Sequence, residues 1–536
     1  MTRYSAILVF VMLCFGVSLV CAEEFDPALD GWYFVNWGES GANCIGSCDL
    51  SWDLYRQAYL GINPTHDCVE APLDCAFYEV FKNCGQGGNC GGMSLLALAL
   101  FKYGGYMGFC SPASFYTGGV APDREDLHRA INILQARQFS LAGIENIIDL
   151  VDAGDINDAQ AAFYKVRDCL ARGDYAVLSI ANSTFGDVAH TVIPYKAVDG
   201  PSGGFPKTLH IWDPNLPYDD NSSRYTGGTD VMTINSPTDW TYIQSSTRTY
   251  SGSGGSGAWC FAVPMSVILP KSRQPFALDL VFDALMSAFI TGPGAAVTQI
   301  SDDQGRQLYK TDADLHMSRT DLETDPNKRL KGAMRWPWFA QVDSRGAVGE
   351  PGELYFVRPA AGSTKALNFS ISGTQYKAVV GVGGHLVQID ASSSGKAKDI
   401  ITVSGLATAA QSVEIKTLGA QRSFDVRQLR GSTATRDWRS VEVKGLEVTR
   451  DTPVVIESIG DMEAVVVSSR DKTVSFNLDL KQRINGEFSS AKSEMLSTTP
   501  GKLLKVVPGN WRTLGTTTLD TVEMEKAPAP VPAEVR

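Results

Sequence analysis

The chain has 536 residues, of which 44% are hydrophobic and 20% are charged, and its formal net charge is −12 at pH 7. This length exceeds what one hydrophobic core can organise, so several domains are expected. The acidic balance and the lack of a basic run exclude the electrostatic footprint of a nucleic-acid-binding protein. The apolar and charged fractions are typical of a soluble globular protein.

Residues 1–22 have the three parts of a secretory signal peptide. Arg3 precedes an apolar run over 6–20, and the small residue Ala22 comes just before two glutamates. The run is short for a membrane span, and no later stretch reaches the roughly 18 apolar residues that a span needs. The sequence therefore predicts an exported protein, secreted or periplasmic, without a membrane span. A lipid anchor on Cys21 is the less favoured alternative.

Nine cysteines remain after the predicted cleavage, and all of them precede residue 261. An oxidising destination favours disulfides, and an odd number leaves at least one thiol free or bridged to another molecule. Disulfides are also favoured over a zinc site for Cys44, Cys48, Cys68 and Cys75. No metal ion and no cofactor is predicted.

Residues 23–264 mix helical and strand patterns, which predicts an α+β domain. Apolar residues recur at helical spacing over 127–150 and 155–172. A strand-like run over 258–263 follows a glycine- and serine-rich loop and is expected to close the domain.

The sequence pattern changes from residue 265 onward, where short β-branched runs recur about every ten residues between turn residues. This rhythm predicts all-β sandwiches, and the length fits two of them, over 265–395 and 396–522. The last residues, 523–536, form a proline-rich extended tail. The expected fold is therefore multidomain, with an α+β domain followed by all-β sandwich domains.

A glycine-rich loop leads into an apolar helix at Cys90. Asn89 is expected to cap this helix, which places Cys90 in the first turn. The dipole and free N–H groups of a helix N-terminus favour the thiolate, which is the nucleophilic form of cysteine. Gly91 and Gly92 are poor helix formers, so they indicate a close approach by backbone or substrate. The N–H of Cys90 and a nearby amide side chain are candidates for an oxyanion hole.

His190 begins one strand-like run and Asp213 ends another, with a turn-rich segment over 199–207 between them. This spacing predicts a hairpin that brings His190 and Asp213 to one end of a strand pair. Pro194 lacks the N–H of a ladder, so it predicts an edge or a bulge. A carboxylate so placed would fix the imidazole tautomer and stabilise its charged form. His210 lies on the opposite strand face from Asp213 and is expected to be structural.

Three motifs resemble those of the papain-like superfamily of cysteine peptidases: Asn89-Cys90-Gly-Gly-Met93, Ala189-His190-Thr-Val192 and Trp212-Asp213-Pro214-Asn215. In detail the chain is similar to bacterial secreted members and to the bacteriocin-processing type, which use Asp as the third residue. The resemblance covers roughly residues 30–264. It implies a papain-like fold there, a polypeptide substrate, and catalytic roles for Cys90, His190 and Asp213.

The superfamily also places an oxyanion-hole glutamine before the nucleophile, at a position that falls on Cys84 in this chain. Gln86 lies closer to Cys90 and is therefore the candidate for this role. Asn83 and Asn89 are its rivals.

These features predict a secreted thiol peptidase that forms an acyl-enzyme on Cys90, with His190 as base and Asp213 as orienting acid. Two alternatives stay open. A transglutaminase-like acyl transferase would pass the acyl group to an amine. A non-catalytic adhesion protein would carry a degenerate peptidase domain and bind a surface. In each case the β domains are candidates for contact with a surface or a polymer.

Overall fold

The computed structural model shows an N-terminal α+β region followed by a large all-β region, which confirms the predicted fold class. The residues that the structure describes are 24–37, 50–82, 84–85, 88–115, 124–182, 189–253, 258–274, 286–291, 295–309, 334–336, 352–357, 366–382, 384–406, 408, 410–419, 421–431, 436–450, 453–460, 462–511, 514 and 519–525. The predicted signal peptide, residues 1–22, and most of the predicted tail lie outside them.

Nine α-helices occur in the described part of the N-terminal region, and three short 3-10 helices accompany them. The α-helices are α1 (Pro27–Asp30), α2 (Trp52–Ala58), α3 (Pro72–Phe81), α4 (Cys90–Tyr103), α5 (Glu125–Arg137), α6 (Leu141–Ala153), α7 (Ala159–Ala171), α8 (Tyr218–Thr226) and α9 (Met265–Ile268). The 3-10 helices are Pro112–Phe115, Asp155–Asn157 and Pro201–Gly203.

The same region contains a curled antiparallel sheet of seven strands and a separate two-stranded parallel pair, β1 with β9. The sheet has the order β7-β6-β5-β4-β3-β2-β8. The strands are β1 (Tyr59–Leu60), β2 (Ala176–Ala181), β3 (Ala189–Val198), β4 (Lys207–Trp212), β5 (Val231–Ser236), β6 (Asp239–Ser245), β7 (Arg248–Gly252), β8 (Trp259–Pro264) and β9 (Ser272–Arg273).

Helix α4 lies at the centre of the α+β region. Its residues from Cys90 to Leu100 are buried, as the apolar sequence predicts. The helix packs so closely on α5 that a Cβ atom on Gly92 would collide with the carbonyl oxygen of Ile131, and one on Gly91 would collide with Gln138. The two glycines therefore permit a close approach between helices, which is one of the two reasons predicted for them.

The predicted helical stretch over 127–150 forms two helices rather than one. Helix α5 ends at Arg137, and α6 begins after Ser140, whose side chain accepts a hydrogen bond from the N–H of Gly143. Serine is a favoured N-cap because its oxygen satisfies an otherwise unpaired amide. Ser140 therefore allows α6 to start as a new helix although the apolar pattern of the sequence continues through this point.

The predicted hairpin is present as strands β3 and β4, which pair in antiparallel fashion with Ile193 opposite Trp212. The register shifts between Pro194 and Lys196, so the strand has the bulge that Pro194 predicts. This pairing fixes the start of β3 beside the residues that follow β4.

The all-β region consists of strands that belong to one connected antiparallel sheet in the described residues. They are β10 (Met286–Thr291), β11 (Ala296–Asp302), β12 (Gln307–Tyr309), β13 (Met334–Trp336), β14 (Gly352–Val357), β15 (Leu367–Val382), β16 (His385–Ser404), β17 (Gln411–Thr417), β18 (Arg422–Gly431), β19 (Trp438–Val448), β20 (Val454–Ile459), β21 (Ala464–Ser469), β22 (Val474–Ile484), β23 (Glu487–Lys492), β24 (Leu496–Thr498), β25 (Lys502–Pro508) and β26 (Leu519–Glu525).

Two long strands curl this sheet. One half of β15 pairs with β11 and the other with β10, while β16 divides its pairing between β17 and β18. A single apolar cluster extends from Ile290 to Leu514. Strand β16 runs through the predicted boundary between residues 395 and 396, so the division into two domains there stays a prediction that the strand order does not support.

One disulfide, Cys68–Cys75, occurs among the described cysteines. Cys90, Cys110, Cys169 and Cys260 are free cysteines of the described part of the chain. Cys44 and Cys48 lie outside the described residues. The odd number of cysteines therefore does not identify Cys90 as the nucleophile. Only the residues around Cys90 can support that role. No helix of the described residues is both long and apolar enough to span a membrane.

We predict that Gly92→Ala lowers the free energy of unfolding by about 1–3 kcal/mol, because its methyl group must push α4 away from α5. Chemical denaturation monitored by circular dichroism measures this change. Gly395→Ala in β16 is the control, since nothing lies within 4 Å of a methyl group added there. Equal stability of the two variants would contradict the close packing described for Gly92.

Candidate active site

Cys90 is the first residue of α4, and its side chain is completely buried. One turn further along the helix, the Ser94 hydroxyl donates a hydrogen bond to the carbonyl oxygen of Thr191, with an O–O distance of 3.4 Å. Thr191 follows His190 in β3. This contact fixes the register between helix and strand and brings Cys90 next to His190.

His190 and Asp213 meet at the end of the hairpin. The Nε2 atom of His190 is 2.7 Å from Oδ1 of Asp213, and both side chains are fully buried. The other ring nitrogen, Nδ1, has no hydrogen-bond partner among the described residues. The imidazole is therefore held by the carboxylate through one nitrogen, while the other is left for Cys90 or a reacting group.

The Asp213 carboxylate accepts four hydrogen bonds. Its Oδ1 accepts from His190 and from the backbone N–H of Asn215, at 2.7 Å each. Its Oδ2 accepts from the Tyr242 hydroxyl and from Nε2 of Gln244, at 2.8 Å each. A buried carboxylate is costly unless donors surround it, and these four contacts hold it ionised in one orientation.

The charges of the pair shift both pKa values. Burial by itself would lower the pKa of His190, but the charge and hydrogen bond of Asp213, together with Cys90, raise it from 6.5 to about 10. Burial would raise the pKa of Asp213, whereas the charge and hydrogen bond of His190 keep it below its ordinary value. The site therefore favours an imidazolium beside a carboxylate, because opposite charges stabilise each other in a buried setting.

Sequence reasoning missed the residues of β6 and β7 that complete the site. The ring of Tyr250 stacks on His190 with a centroid distance of 5.7 Å and an interplanar angle of 17°. Trp240, Tyr242 and Gln244 occupy every second position of β6, so they share one face of the strand, and all three are buried. A glutamine in the inward row of an otherwise aromatic strand is the one sequence signal that could have indicated them.

Asn89 occupies the N-cap position of α4, but its side chain does not cap the helix, contrary to the prediction. Its side-chain amide donates instead to the carbonyl oxygen of Trp37, and its backbone N–H donates to Oδ1 of Asn36 at 2.7 Å. The N–H of Asn36 in turn donates to the carbonyl oxygen of Pro214 at 2.8 Å. Asn36 thus links the helix that carries Cys90 to the chain just after Asp213.

The predicted oxyanion-hole residue Gln86 and its rival Asn83 lie outside the described residues. The second rival, Asn89, has its amide engaged by Trp37. Sequence reasoning did not consider Gln138, which packs against Gly91 and donates through Nε2 to the carbonyl oxygen of Gln135. A polar side chain is therefore adjacent to the start of α4, in addition to the backbone N–H of Cys90.

Two other histidines have neighbours that could bear on their roles. The Nδ1 atom of His210 lies 3.6 Å from Oδ1 of the buried Asp230, and its structural role stays a prediction. In the described part of the chain, one group could hold a metal ion, His66 with Cys68 and Cys75, whose ligand atoms lie within 4.8 Å of one another. The disulfide joins these two cysteines, so neither offers the thiolate that zinc binds.

Comparisons of this chain with protein-family models, with curated protein sequences and with solved structures found no match. The site is therefore interpreted from its own geometry and chemistry.

We predict that Tyr242→Phe lowers the free energy of unfolding by about 1.5–3 kcal/mol, because it removes one donor from a buried charged carboxylate. Urea titration at neutral pH measures the change. Tyr103→Phe is the matched control, since Tyr103 is largely exposed and should lose almost nothing. An unchanged Tyr242→Phe protein would show that the hydroxyl does not support Asp213.

We also predict that the stability contributed by the His190–Asp213 pair depends on pH. The pKa of His190 is raised to about 10 on folding, so its contribution is present below pH 6.5 and is lost as the pH rises through about 10. The pKa of Asp213 is lowered, so the contribution is also lost as the pH falls through that lowered value.

The measurement compares the free energies of unfolding of the native chain and of Asp213→Asn by denaturant titration, from about pH 6 to about pH 10. The difference between the two proteins should shrink as the pH rises, because His190 loses its charge. Other titrating groups are common to both proteins and cancel. A difference that does not change with pH would contradict a charged His190 beside Asp213.

Proposed function

We propose that the chain is an exported thiol peptidase whose nucleophile is Cys90. The observation that carries the proposal is a free cysteine at the start of a buried helix, next to a histidine whose Nε2 is held by an aspartate. A nucleophile that contacts a base, which in turn contacts an orienting acid, is the arrangement that activates a thiol or hydroxyl for acyl transfer. Cys110, Cys169 and Cys260 are also free, but no comparable contact with a histidine is found for them in the described residues.

In the proposed reaction, His190 starts as an imidazolium whose Nδ1 holds the proton given up by the Cys90 thiol, and the sulfur attacks the carbonyl carbon of a peptide bond. The tetrahedral intermediate collapses when the C–N bond breaks, and the imidazolium gives its proton to the leaving amine. Water then attacks the thioester with His190 as base, which releases the carboxylic acid and restores the thiol. Every proton that His190 accepts is returned, so the cycle needs no further reactant.

Asp213 has a positioning role in this proposal. Its bond to Nε2 leaves Nδ1 as the nitrogen that exchanges protons with sulfur, and its charge stabilises the imidazolium. Tyr242 and Gln244 keep the carboxylate in place. The stacked ring of Tyr250 restricts rotation of the imidazole. These contacts reduce the reorganisation needed when charge develops during the reaction.

The backbone N–H of Cys90 at the N-terminus of α4 is the proposed oxyanion donor, together with a side-chain amide. Gln86 is the candidate for that amide, and Gln138 is a second one, because it packs against Gly91. The resemblance of three short motifs to papain-like peptidases supports hydrolysis of a peptide bond. A central helix that begins with cysteine and packs on an antiparallel sheet is consistent with that resemblance, although a fold alone does not determine an activity.

The proposal includes export, because the first 22 residues resemble a signal peptide and the Cys68–Cys75 disulfide fits an oxidising compartment. The substrate class proposed is a polypeptide. The all-β region is proposed to hold the catalytic region at a surface or a polymer, since it adds a large second body without a comparable catalytic cluster in its described residues.

We predict that Cys90→Ala abolishes cleavage of an unfolded protein substrate, with a loss of at least about a thousandfold. A thiol-directed epoxide should label the native chain at Cys90, as peptide mapping by mass spectrometry would show. Cys110→Ala is the matched control, since Cys110 is a free and exposed cysteine outside the site. It should retain both cleavage and labelling.

Two results would favour the alternatives. If a primary amine is incorporated into the substrate without hydrolysis, the chain is an acyl transferase that uses the same thioester. If the native chain shows neither cleavage nor labelling while titration finds Cys90 unreactive, the region is a degenerate peptidase with a binding role. Activity that persists in Cys90→Ala would remove the cysteine from the mechanism altogether.

A further inference from the structure

The α+β region and the all-β region contact each other through helix α3. Leu73 and Ala76 on this helix form an apolar cluster with Val379, Leu386 and Leu429 of the large sheet. Beside this cluster, Glu70 forms an ion pair with Arg483, at 3.7 Å between Oε1 and Nη2. The start of α3 is therefore the point at which the two regions are joined.

A pocket lies at this junction. The α+β region lines it with Gly61 and with residues 70–74, which include the first turn of α3. The all-β region lines it with Arg436 and Trp438. Pockets between domains are a common location for small-molecule sites, and this one brings a helix N-terminus to a cation.

The two carboxylates of the pocket already have partners within the protein. Asp74 accepts from Nε2 of Gln274 at 2.5 Å and from the backbone N–H of Asn63 at 2.9 Å. Glu70 accepts from Nδ2 of Asn63 at 3.0 Å and pairs with Arg483. Both acids are thus satisfied by the protein, and neither requires a cation from outside.

Several donors at the same pocket lack an acceptor. Helix α3 has ten residues and no side-chain cap, and Pro72 at its start has no N–H. The N–H groups of Leu73 and Asp74 therefore point out of the first turn without an intrahelical acceptor. Trp438 is 4% exposed, and its buried Nε1–H has no hydrogen-bond partner. Within the described residues, no ion pair or side-chain hydrogen bond engages the guanidinium of Arg436. Burial raises the pKa of Asp74, and the nearby charge of Arg436 acts in the opposite direction.

We propose that this pocket binds an oxyanion: a carboxylate, a phosphate or a sulfate group. Free N–H groups at the N-terminus of a helix favour negative charge, and a guanidinium binds planar or tetrahedral oxyanions through several N–H groups. The indole N–H of Trp438 adds a donor that has no other acceptor. The site is separate from Cys90, so it does not depend on the proposed peptidase activity.

Such a ligand would contact both regions at once. The N–H groups of Leu73 and Asp74 belong to the α+β region, whereas Arg436 and Trp438 belong to the all-β region. A ligand that binds only the joined arrangement stabilises it by mass action. The anion would therefore act as a link between the catalytic region and the sheet, with the source being either a free inorganic ion or the carboxylate of a peptide.

The experiment measures binding of inorganic phosphate and, separately, of acetate to the full chain by calorimetry at constant ionic strength, with chloride as the reference anion. We expect saturable binding of at least one probe and a matching rise in the thermal unfolding midpoint. Preference for phosphate would indicate a free ion, and preference for acetate would indicate a peptide carboxylate.

Arg436→Gln should weaken binding at least about tenfold, because it removes the only cation among the described lining residues while keeping amide donors. Trp438→Phe should weaken binding about fivefold, since it keeps the ring and removes the N–H. Arg470→Gln is the control, because Arg470 is an exposed arginine that directly follows β21 and lies outside the pocket lining. Absence of saturable binding to the native chain, or equal affinity in all variants, would overturn the proposal.

Discussion

Asp213 is a fully buried carboxylate, and the geometry of the site depends on keeping it charged. A buried ionised group is stable only when hydrogen bonds and an opposite charge replace its water shell. Four donors from three segments of the chain surround it, and His190 supplies the positive charge. Removal of any one donor affects the position of the imidazole, because the same carboxylate holds the ring.

This requirement explains why the site is built from residues distant in sequence. The hairpin supplies His190 and Asp213, while β6 and β7 supply Tyr242, Gln244 and the ring of Tyr250. Helix α4 then has to approach the sheet closely enough for Cys90 to reach the imidazole. Gly92 permits the tight contact of α4 with α5, and Ser94 ties the helix to the strand of His190. The arrangement of the candidate site and the packing of the core therefore depend on the same contacts.

The sequence predicted those parts of the fold that leave a local signature. Turn residues over 199–207 indicate the hairpin, and Pro194 indicates the bulge, because glycine and proline restrict the backbone in known ways. The helix break at Ser140 was missed, since a serine cap inside an apolar pattern is a weak signal. The contacts of Asp213 with β6 could not be predicted, because nothing in the strand itself specifies which buried carboxylate its glutamine will meet.

The segment that contains Asn36 determines how far the chain can be shortened from its N-terminal side before the candidate site loses contacts. Trp32 donates through its indole N–H to the carbonyl oxygen of Met93, and Asn36 connects the start of α4 with Pro214. The stretch from Trp32 to Trp37 is thus a structural part of the candidate site. Proteolytic trimming that removed this stretch would remove contacts both to the helix that carries Cys90 and to the segment just after Asp213. A cleavage that keeps the arrangement of Cys90, His190 and Asp213 must therefore lie upstream of this segment.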